Sequence, residues 1–239
     1  MSNKRGIVLL ALLLLVLVPG IFLASAKQEK NAVKISSASS EDFKEKYGEK
    51  WKIEKDEETG LPKDIRGFNV DLKKEAKAKR LIAAQEDTPS LMQSFISDNK
   101  AALGIEPANL KLNEVEYDTS DSEEKEGTWY MSYVQEHNSL PVFGGVFSSV
   151  AIDGKLVKLS SNYYPDITIS TIPDLSAEDA KATAKKASGI DAEPEKVSLI
   201  IFPEESKPVK YRLAWQIDFG LVENPPGRWT YIMDEFCGS

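Results

Sequence analysis

Residues 128–162 contain three strand-like runs with a period near two, separated by turn-forming residues, and this pattern limits the fold more than any other part of the sequence. A period of two places successive side chains on opposite faces of a β-strand. Asp153-Gly154 is typical of a tight hairpin turn, and the HNSL segment before Pro141 also favours a turn. The segment therefore predicts three antiparallel strands, with a bulge or a close backbone approach at Gly144-Gly145.

Two helices are predicted on either side of these strands. Residues 88–104 run from a Thr-Pro start to a glycine end and carry an apolar stripe at helical spacing. Residues 176–189 begin with a Ser-Ala-Glu-Asp capping arrangement and also end at a glycine. The second helix has a face of small residues, which lets it lie close to a sheet: Ala180, Ala184 and Ala187.

Three further strand-like runs follow the second helix, in residues 196–202, 210–219 and 228–233. The VENPPG segment joins the last two of them. The sequence therefore predicts an α+β fold of two small, cystatin-like units. Each unit is expected to be an antiparallel sheet with one or two helices packed on it.

The first 26 residues have the composition of an export signal. Lys4 and Arg5 precede an apolar run, and Ala24-Ser25-Ala26 then supplies an A-x-A cleavage pattern. The apolar run is also close to the shortest length that crosses a bilayer, so an uncleaved anchor formed by residues 7–23 stays open. Both interpretations predict a secreted or extracytoplasmic protein.

The predicted organisation has four parts. Residues 1–26 are a signal peptide or anchor, and residues 27–66, rich in Lys, Glu and Ser, are a polar tether or loosely ordered segment. Residues 67–166 form the first α+β unit and residues 167–239 the second. No internal disulfide is possible, because Cys237 is the only cysteine.

The charge of the chain excludes some partners. Removing residues 1–26 takes two positive charges from a net charge of −8 and leaves −10. Nucleic acids and anionic lipids would repel such a protein, so contact with a membrane is expected only through an uncleaved N-terminal segment. No glycine-rich phosphate loop or dinucleotide fingerprint is found, and we expect no cofactor.

Catalytic patterns are missing from the sequence. His137 is the only histidine, which excludes an HExxH zinc site, and no serine lies in a G-x-S-x-G elbow. A Ser-His-Asp triad would have to use His137, which lies in the predicted turn between the first two strands. The clustered carboxylates of residues 118–127 lack the spacing of an EF-hand, so a solvated loop is the favoured interpretation. We expect no catalytic residues and no metal site.

Residues 129–165 resemble the pro-region of thermolysin- and fungalysin-type metallopeptidases, the FTP domain. The pattern is an aromatic strand, then Gln-x-x-x-x-x-Pro-Val-Phe-Gly-Gly, a hydrophobic strand and an Asp-Gly turn. It is carried by Gln135, Pro141, Val142, Phe143, Gly144, Gly145, Asp153 and Gly154. Downstream, IPDLSAEDAKATAKKA and YRLAWQIDFG resemble the PepSY domain that usually follows, so the resemblance covers about residues 70–238.

The resemblance implies a non-catalytic, exported protein that binds a thermolysin-like metallopeptidase catalytic domain as inhibitor, folding chaperone or both. In the proteases of this family the PepSY strand continues into a zinc domain with HExxH, which this sequence lacks. The residues expected to contact the partner are Leu140, Pro141, Phe143, Gly144, Gly145, Pro225 and Pro226.

Other functions stay open at this stage. The chain could be the N-terminal pro-region of a zinc metallopeptidase zymogen whose catalytic domain is missing. It could also be a cell-surface adaptor that binds proteins with its α+β units. An unrecognised hydrolase is the last alternative: its best version would use His137, and carboxylate pairs of the glycosidase type are too plentiful to choose among.

Overall fold

The structure, a computed structural model, describes residues 38–48, 50–78, 88–119 and 127–234. The α-helices are α1 (Ala38–Tyr47), α2 (Leu72–Ala78), α3 (Thr88–Asp98), α4 (Lys100–Leu103) and α5 (Ala177–Ser188). The strands of the first half are β1 (Lys52–Lys55), β2 (Pro62–Asp71), β3 (Leu110–Asp118), β4 (Thr128–His137), β5 (Leu140–Ile152) and β6 (Lys155–Asn162). Those of the second half are β7 (Lys196–Glu204), β8 (Lys210–Glu223) and β9 (Pro226–Asp234).

The first sheet contains six strands in the order β3-β4-β5-β6-β2-β1, and every neighbouring pair is antiparallel. Alternation divides its faces, so that Met131 and Tyr133 of β4 are buried while Tyr130 is exposed. The buried face packs against α1, α3 and the start of α2 in one hydrophobic core. Its helical members include Phe43, Leu72, Leu91, Met92, Phe95 and Ile96.

The second sheet pairs β7 with β8 and β8 with β9 and packs against α5. The capping predicted for α5 is confirmed, because Ser176 Oγ accepts a hydrogen bond from the Asp179 N–H at 3.2 Å and Gly189 has a left-handed φ of 69°. Ala180 and Ala184 are buried against the sheet, but Ala187 is exposed. The predicted α+β fold, with an antiparallel sheet and packed helices in each half, is confirmed.

Two tight turns set the register of β4, β5 and β6. Asp153 and Gly154 have φ values of 51° and 71°, as a two-residue hairpin turn of this hand requires. Asn138 and Ser139 have φ values of 49° and 66°, and they join His137 directly to Leu140. The HNSL segment is therefore a second tight hairpin turn.

Residues 38–66 differ from the predicted tether. They form α1, β1 and the start of β2, and the side chains of Phe43 and Trp51 are each 1% exposed. Their rings meet edge to face at 5.5 Å, and Gly67 leaves room for the indole, since a Cβ there would lie 2.0 Å from Trp51 Cδ2. A few large aromatic residues secure this segment, although its average composition is polar. The boundary predicted at residue 67 falls inside β2.

Several predictions fall outside the described residues: the signal or anchor of residues 1–26, most of the acidic loop 118–127, and Cys237. The division between the two units at residues 166 and 167 stays a prediction. Within the described ranges, no helix has both the length and the apolar character needed to cross a bilayer.

Candidate partner-binding site

The predicted partner-binding segment lies where β5 connects the two sheets. Val146 pairs with Val134 of β4, but the next pair toward the turn joins Pro141 to Glu136. Residues 142–145 of β5 therefore lie opposite Gln135 alone. In this bulge Val142 pairs in parallel with Ile201 of β7, which connects the first sheet to the second. The bulge predicted at Gly144-Gly145 is confirmed, and it is wider than a single extra residue.

Gln135 fills the space that the bulge opens. Its side chain is 1% exposed, and both ends of its carboxamide bond the backbone of Tyr164. Gln135 Nε2 donates to the Tyr164 carbonyl at 2.7 Å, and Gln135 Oε1 accepts from the Tyr164 N–H at 2.9 Å. The glutamine therefore takes the place of a strand neighbour and fixes the chain after β6 against β4.

The two glycines are required by different local constraints. Gly144 has a φ of 70°, a left-handed conformation that favours glycine, and its carbonyl accepts from Asn162 Nδ2 at 2.7 Å. A Cβ on Gly145 would lie 2.9 Å from Gln135 Cβ and 3.0 Å from Gln135 Oε1. A larger residue at 145 would therefore displace the glutamine.

Aromatic residues complete the connection between the sheets. The ring of Phe143 lies 5.5 Å from that of Phe202, and Tyr164 meets Tyr211 edge to face at 6.4 Å. Tyr211 Oη donates to the Pro165 carbonyl at 2.5 Å. Burial of this phenol raises the pKa of Tyr211 above its usual range, so it remains a donor at neutral pH.

The predicted contact residues of β5 divide into exposed and buried members. Pro141 and Gly144 are exposed, Phe143 is 41% exposed and Leu140 is half-buried. Gly145 is buried. The surface of the bulge is thus a small apolar patch held from below by Gln135 and the inter-sheet contacts.

Pro225 and Pro226 lie elsewhere, at the tip of the β8–β9 hairpin. The Pro225 carbonyl accepts from Trp229 Nε1 at 3.0 Å, and the indole is partly exposed. Ile201 at the bulge pairs with Leu213 of β8, and the tip begins eleven residues further along that strand. At 3.3 Å per residue this is roughly 30 Å or more of strand. The structure does not bring the two predicted groups of contact residues together.

His137 does not form a catalytic pair with any described residue. It ends β4, is half-buried, and its Nε2 lies 3.2 Å from Asn138 Nδ2, its neighbour in the turn. Among the described residues no serine, aspartate or glutamate side chain hydrogen-bonds to the imidazole. Within the same ranges, no group of three or more His, Cys, Asp or Glu side chains could hold a metal ion.

Sequence reasoning missed four supporting residues: Asn162, Tyr164, Phe202 and Tyr211. Asn162 ends β6 and Tyr164 follows that strand, whereas Phe202 and Tyr211 belong to β7 and β8. The polar-aromatic cluster Asn162-Tyr163-Tyr164-Pro165 was a signal, since large side chains grouped at a strand end often pack against a neighbouring element.

Proteins similar to part of this chain are named as a neutral protease and as thermolysins. It is 25% identical over 125 residues to the thermostable neutral protease NprT of Geobacillus stearothermophilus, a match over 47% of this chain and 22% of that protein. It is 28% identical over 123 residues to the thermolysins of Alicyclobacillus acidocaldarius subsp. acidocaldarius and Bacillus caldolyticus, with the same coverage. The match thus spans about a fifth of the length of these relatives.

Two other comparisons complete the findings. No protein-family model matches the chain. Among solved structures it is similar to the Bacillus megaterium YpeB C-terminal domain, with a TM-score of 0.36 and 12% identity, over 75% of this chain and 70% of that chain.

Proposed function

We propose that this chain is a non-catalytic, exported, propeptide-like protein that binds a thermolysin-like metallopeptidase, as an inhibitor, a folding chaperone or both. The observation that carries the proposal is the partial similarity to thermolysin-type proteases, over 47% of this chain but only 22% of theirs. The sequence has one histidine and no HExxH motif, so it lacks the zinc-binding motif expected of a catalytic domain of this type. Both observations are compatible with a protein that binds such an enzyme and is not itself the catalytic domain.

The geometry of the bulge supports a role in binding. Pro141 and Phe143 form an exposed apolar surface on a backbone that Asn162 Nδ2 bonds at the Gly144 carbonyl and that lies against Gln135, whose carboxamide is itself held by two bonds to Tyr164. A surface that is already ordered loses little conformational entropy when a partner binds. Aromatic residues near the centre of an interface commonly carry much of its binding energy. We therefore propose the bulge as the main contact and the Pro225-Pro226 tip as a second, separate contact.

The test is surface plasmon resonance of the purified chain over immobilised thermolysin, with phenanthroline present to remove zinc and prevent digestion. We expect Phe143→Ala to weaken binding by about tenfold, as loss of an aromatic anchor commonly does. Replacing Pro225 and Pro226 by alanine should weaken it less. Ile172→Ala is the matched control, because Ile172 is 79% exposed and belongs to neither group.

The outcomes separate the function from the surface. No binding by the unmodified chain would contradict the proposed function. Binding that survives both sets of substitutions within about twofold would keep the function and reject these contact residues. Unfolding curves of each variant establish that any loss is not a loss of folding.

A second candidate is favoured by the coverage of the relatives. A chain that matches a fifth of a protease could be the pro-region of a longer zymogen. Sequencing the DNA downstream of the Ser239 codon tests this directly. An open frame that encodes HExxH would place the partner in the same polypeptide, and the contacts proposed above would then form within one chain.

The proposed location follows from the N-terminal sequence. Lys4, Arg5 and the apolar run after them support secretion, with residues 7–23 as an anchor if they are not cleaved. Mass spectrometry of the protein from its native host would show a new N-terminus at Lys27 after cleavage. The intact N-terminus on extracted membranes would instead indicate an anchor.

A further inference from the structure

Strand β3 forms an open edge of the first sheet. It pairs with β4, and no described strand lies along its other side. A register shift after Leu112 limits the regular part of the edge to Glu114–Asp118, which pairs without interruption with residues 128–132. Outward-facing backbone N–H and C=O groups along such an edge can pair with a strand from another chain.

Strands β1 and β9 also lie at sheet edges, and each carries features that oppose pairing with another strand. The strand β1 has only four residues, two of which are Lys52 and Lys55. The strand β9 begins with Pro226 and Gly227. Short strands, proline and charged side chains, above all lysine, are the usual features that prevent strands from pairing at an edge. The regular part of β3 reads EVEYD, which has no lysine or proline and only negative charges, so its charges oppose an added acidic strand but not a basic one.

The two faces of this edge differ sharply in chemistry. Val115 and Tyr117 are 39% and 47% exposed and lie on the face that carries the hydrophobic core, opposite Met131 and Trp129. Tyr117 packs on Trp129 at 4.4 Å between ring centroids, so its ring is fixed. Glu114 and Glu116 point to the opposite face and are exposed.

We propose that Glu114–Asp118 binds an extended segment of a partner protein in which lysine or arginine alternates with apolar residues. Side chains of an added strand alternate between the two faces. One set would contact Val115 and Tyr117, and the other would lie beside Glu114 and Glu116. Backbone pairing supplies affinity and the alternating side chains supply specificity, as in other cases of strand addition.

A second copy of this chain is a poor occupant of the same edge. Antiparallel pairing of two β3 strands about Val115 would place Glu114 of one copy opposite Glu116 of the other. Like charges directly opposite each other across strands are destabilising. The charge of the edge therefore favours a basic partner over self-association.

This inference is independent of the peptidase proposal. It concerns the chemistry of the bound segment and a surface distinct from the bulge and from the hairpin tip. The proposed site would remain if thermolysin did not bind, and thermolysin could bind without using this edge.

The test uses the full chain and the synthetic peptide acetyl-Thr-Lys-Val-Lys-Val-Lys-Thr-amide, with a matched peptide that has glutamate in place of lysine. Isothermal titration calorimetry measures affinity, and amide hydrogen exchange followed by NMR locates the peptide. We expect the lysine peptide to bind and to slow the exchange of amide hydrogens within residues 114–118. The glutamate peptide should do neither. Adding salt should weaken binding, because the charges are exposed.

Charge-reversed variants make the test specific. Glu114→Lys with Glu116→Lys should weaken the lysine peptide by about tenfold or more, since two attractive pairs become repulsive. Glu57→Lys with Glu58→Lys makes the same change in net charge in the exposed turn between β1 and β2. This control should change the affinity by less than about twofold.

Four results would overturn the proposal. The lysine peptide could fail to bind, or the control pair could weaken it as much as the β3 pair does. The slowed amides could lie in β1, in β9 or at the bulge. The amide hydrogens of β3 could already exchange slowly in the chain without peptide. This result would count against the proposal both if it holds at every concentration of the chain and if it appears only at concentrations where the chain self-associates.

Discussion

Gln135 fixes the chain after β6 against β4 at the bulge, and Gln135→Ala is the sharpest test of that geometry. The substitution removes both hydrogen bonds to the Tyr164 backbone, at 2.7 and 2.9 Å, from a side chain that is 1% exposed. It also leaves a cavity beneath Gly145. No other described side chain is placed to bond both the N–H and the C=O of Tyr164.

The expected loss follows from these contacts. Two hydrogen bonds contribute about 2 kcal/mol together, and the cavity left by the truncated side chain costs about 1 kcal/mol more. The free energy of unfolding should therefore fall by about 3 kcal/mol. For a chain of this size the melting temperature should fall by about 9 °C.

Urea denaturation followed by tryptophan fluorescence measures this change, with thermal unfolding by circular dichroism as a second assay. His137→Ala is the matched control, because His137 lies two residues away on the same strand. Among the described side chains, only Asn138 forms a hydrogen bond with its ring. The control should change stability by less than about 0.5 kcal/mol. A loss below about 1 kcal/mol for Gln135→Ala would refute the assigned role of the carboxamide.

Three further predictions concern stability. Gly145→Ala should cost about 2 kcal/mol in urea denaturation, because its Cβ would lie 2.9 Å from Gln135 Cβ; an unchanged midpoint would contradict the packing described. Trp51→Ala should cost about 4 kcal/mol, since the indole is 1% exposed, whereas a residue in a tether would cost almost nothing. Burial raises the pKa of Tyr133 to about 12, and its hydroxyl has no hydrogen-bond partner among the described residues. The unfolded chain loses this proton near pH 10, so stability should fall as pH rises from about 10 to about 12. Tyr133→Phe should reduce that fall without loss of stability at pH 7. If the free energy of unfolding of the variant falls with alkaline pH as it does in the unmodified chain, Tyr133 is not the group responsible.

Much of the fold could be predicted because its signals are local. Asp153-Gly154 and the glycine ends of two helices each impose a backbone conformation within a few residues, and the structure has these features where the sequence predicts them. Residues 38–66 were mispredicted for the opposite reason. Their place in the fold depends on Phe43 and Trp51 reaching a distant core, which average composition does not reveal.

The candidate site could be predicted only in part. The motif residues were found from their order in the sequence, and the bulge was expected from paired glycines. Their partners were not, because the sequence does not specify the relative positions of the elements that carry them. Phe202 and Tyr211 approach from β7 and β8, and Tyr164 from the segment after β6. Exposure was equally inaccessible, since Val142 and Phe143 are neighbours in one strand and only Phe143 reaches the surface.

Inhibition of a thermolysin-like peptidase is the property on which the proposed role as inhibitor depends. It can be measured by incubating thermolysin with the purified chain and recording the hydrolysis of a small peptide substrate over time. We expect slow-onset inhibition that persists after dilution. Hydrolysis at the uninhibited rate, with the chain itself digested, would contradict it.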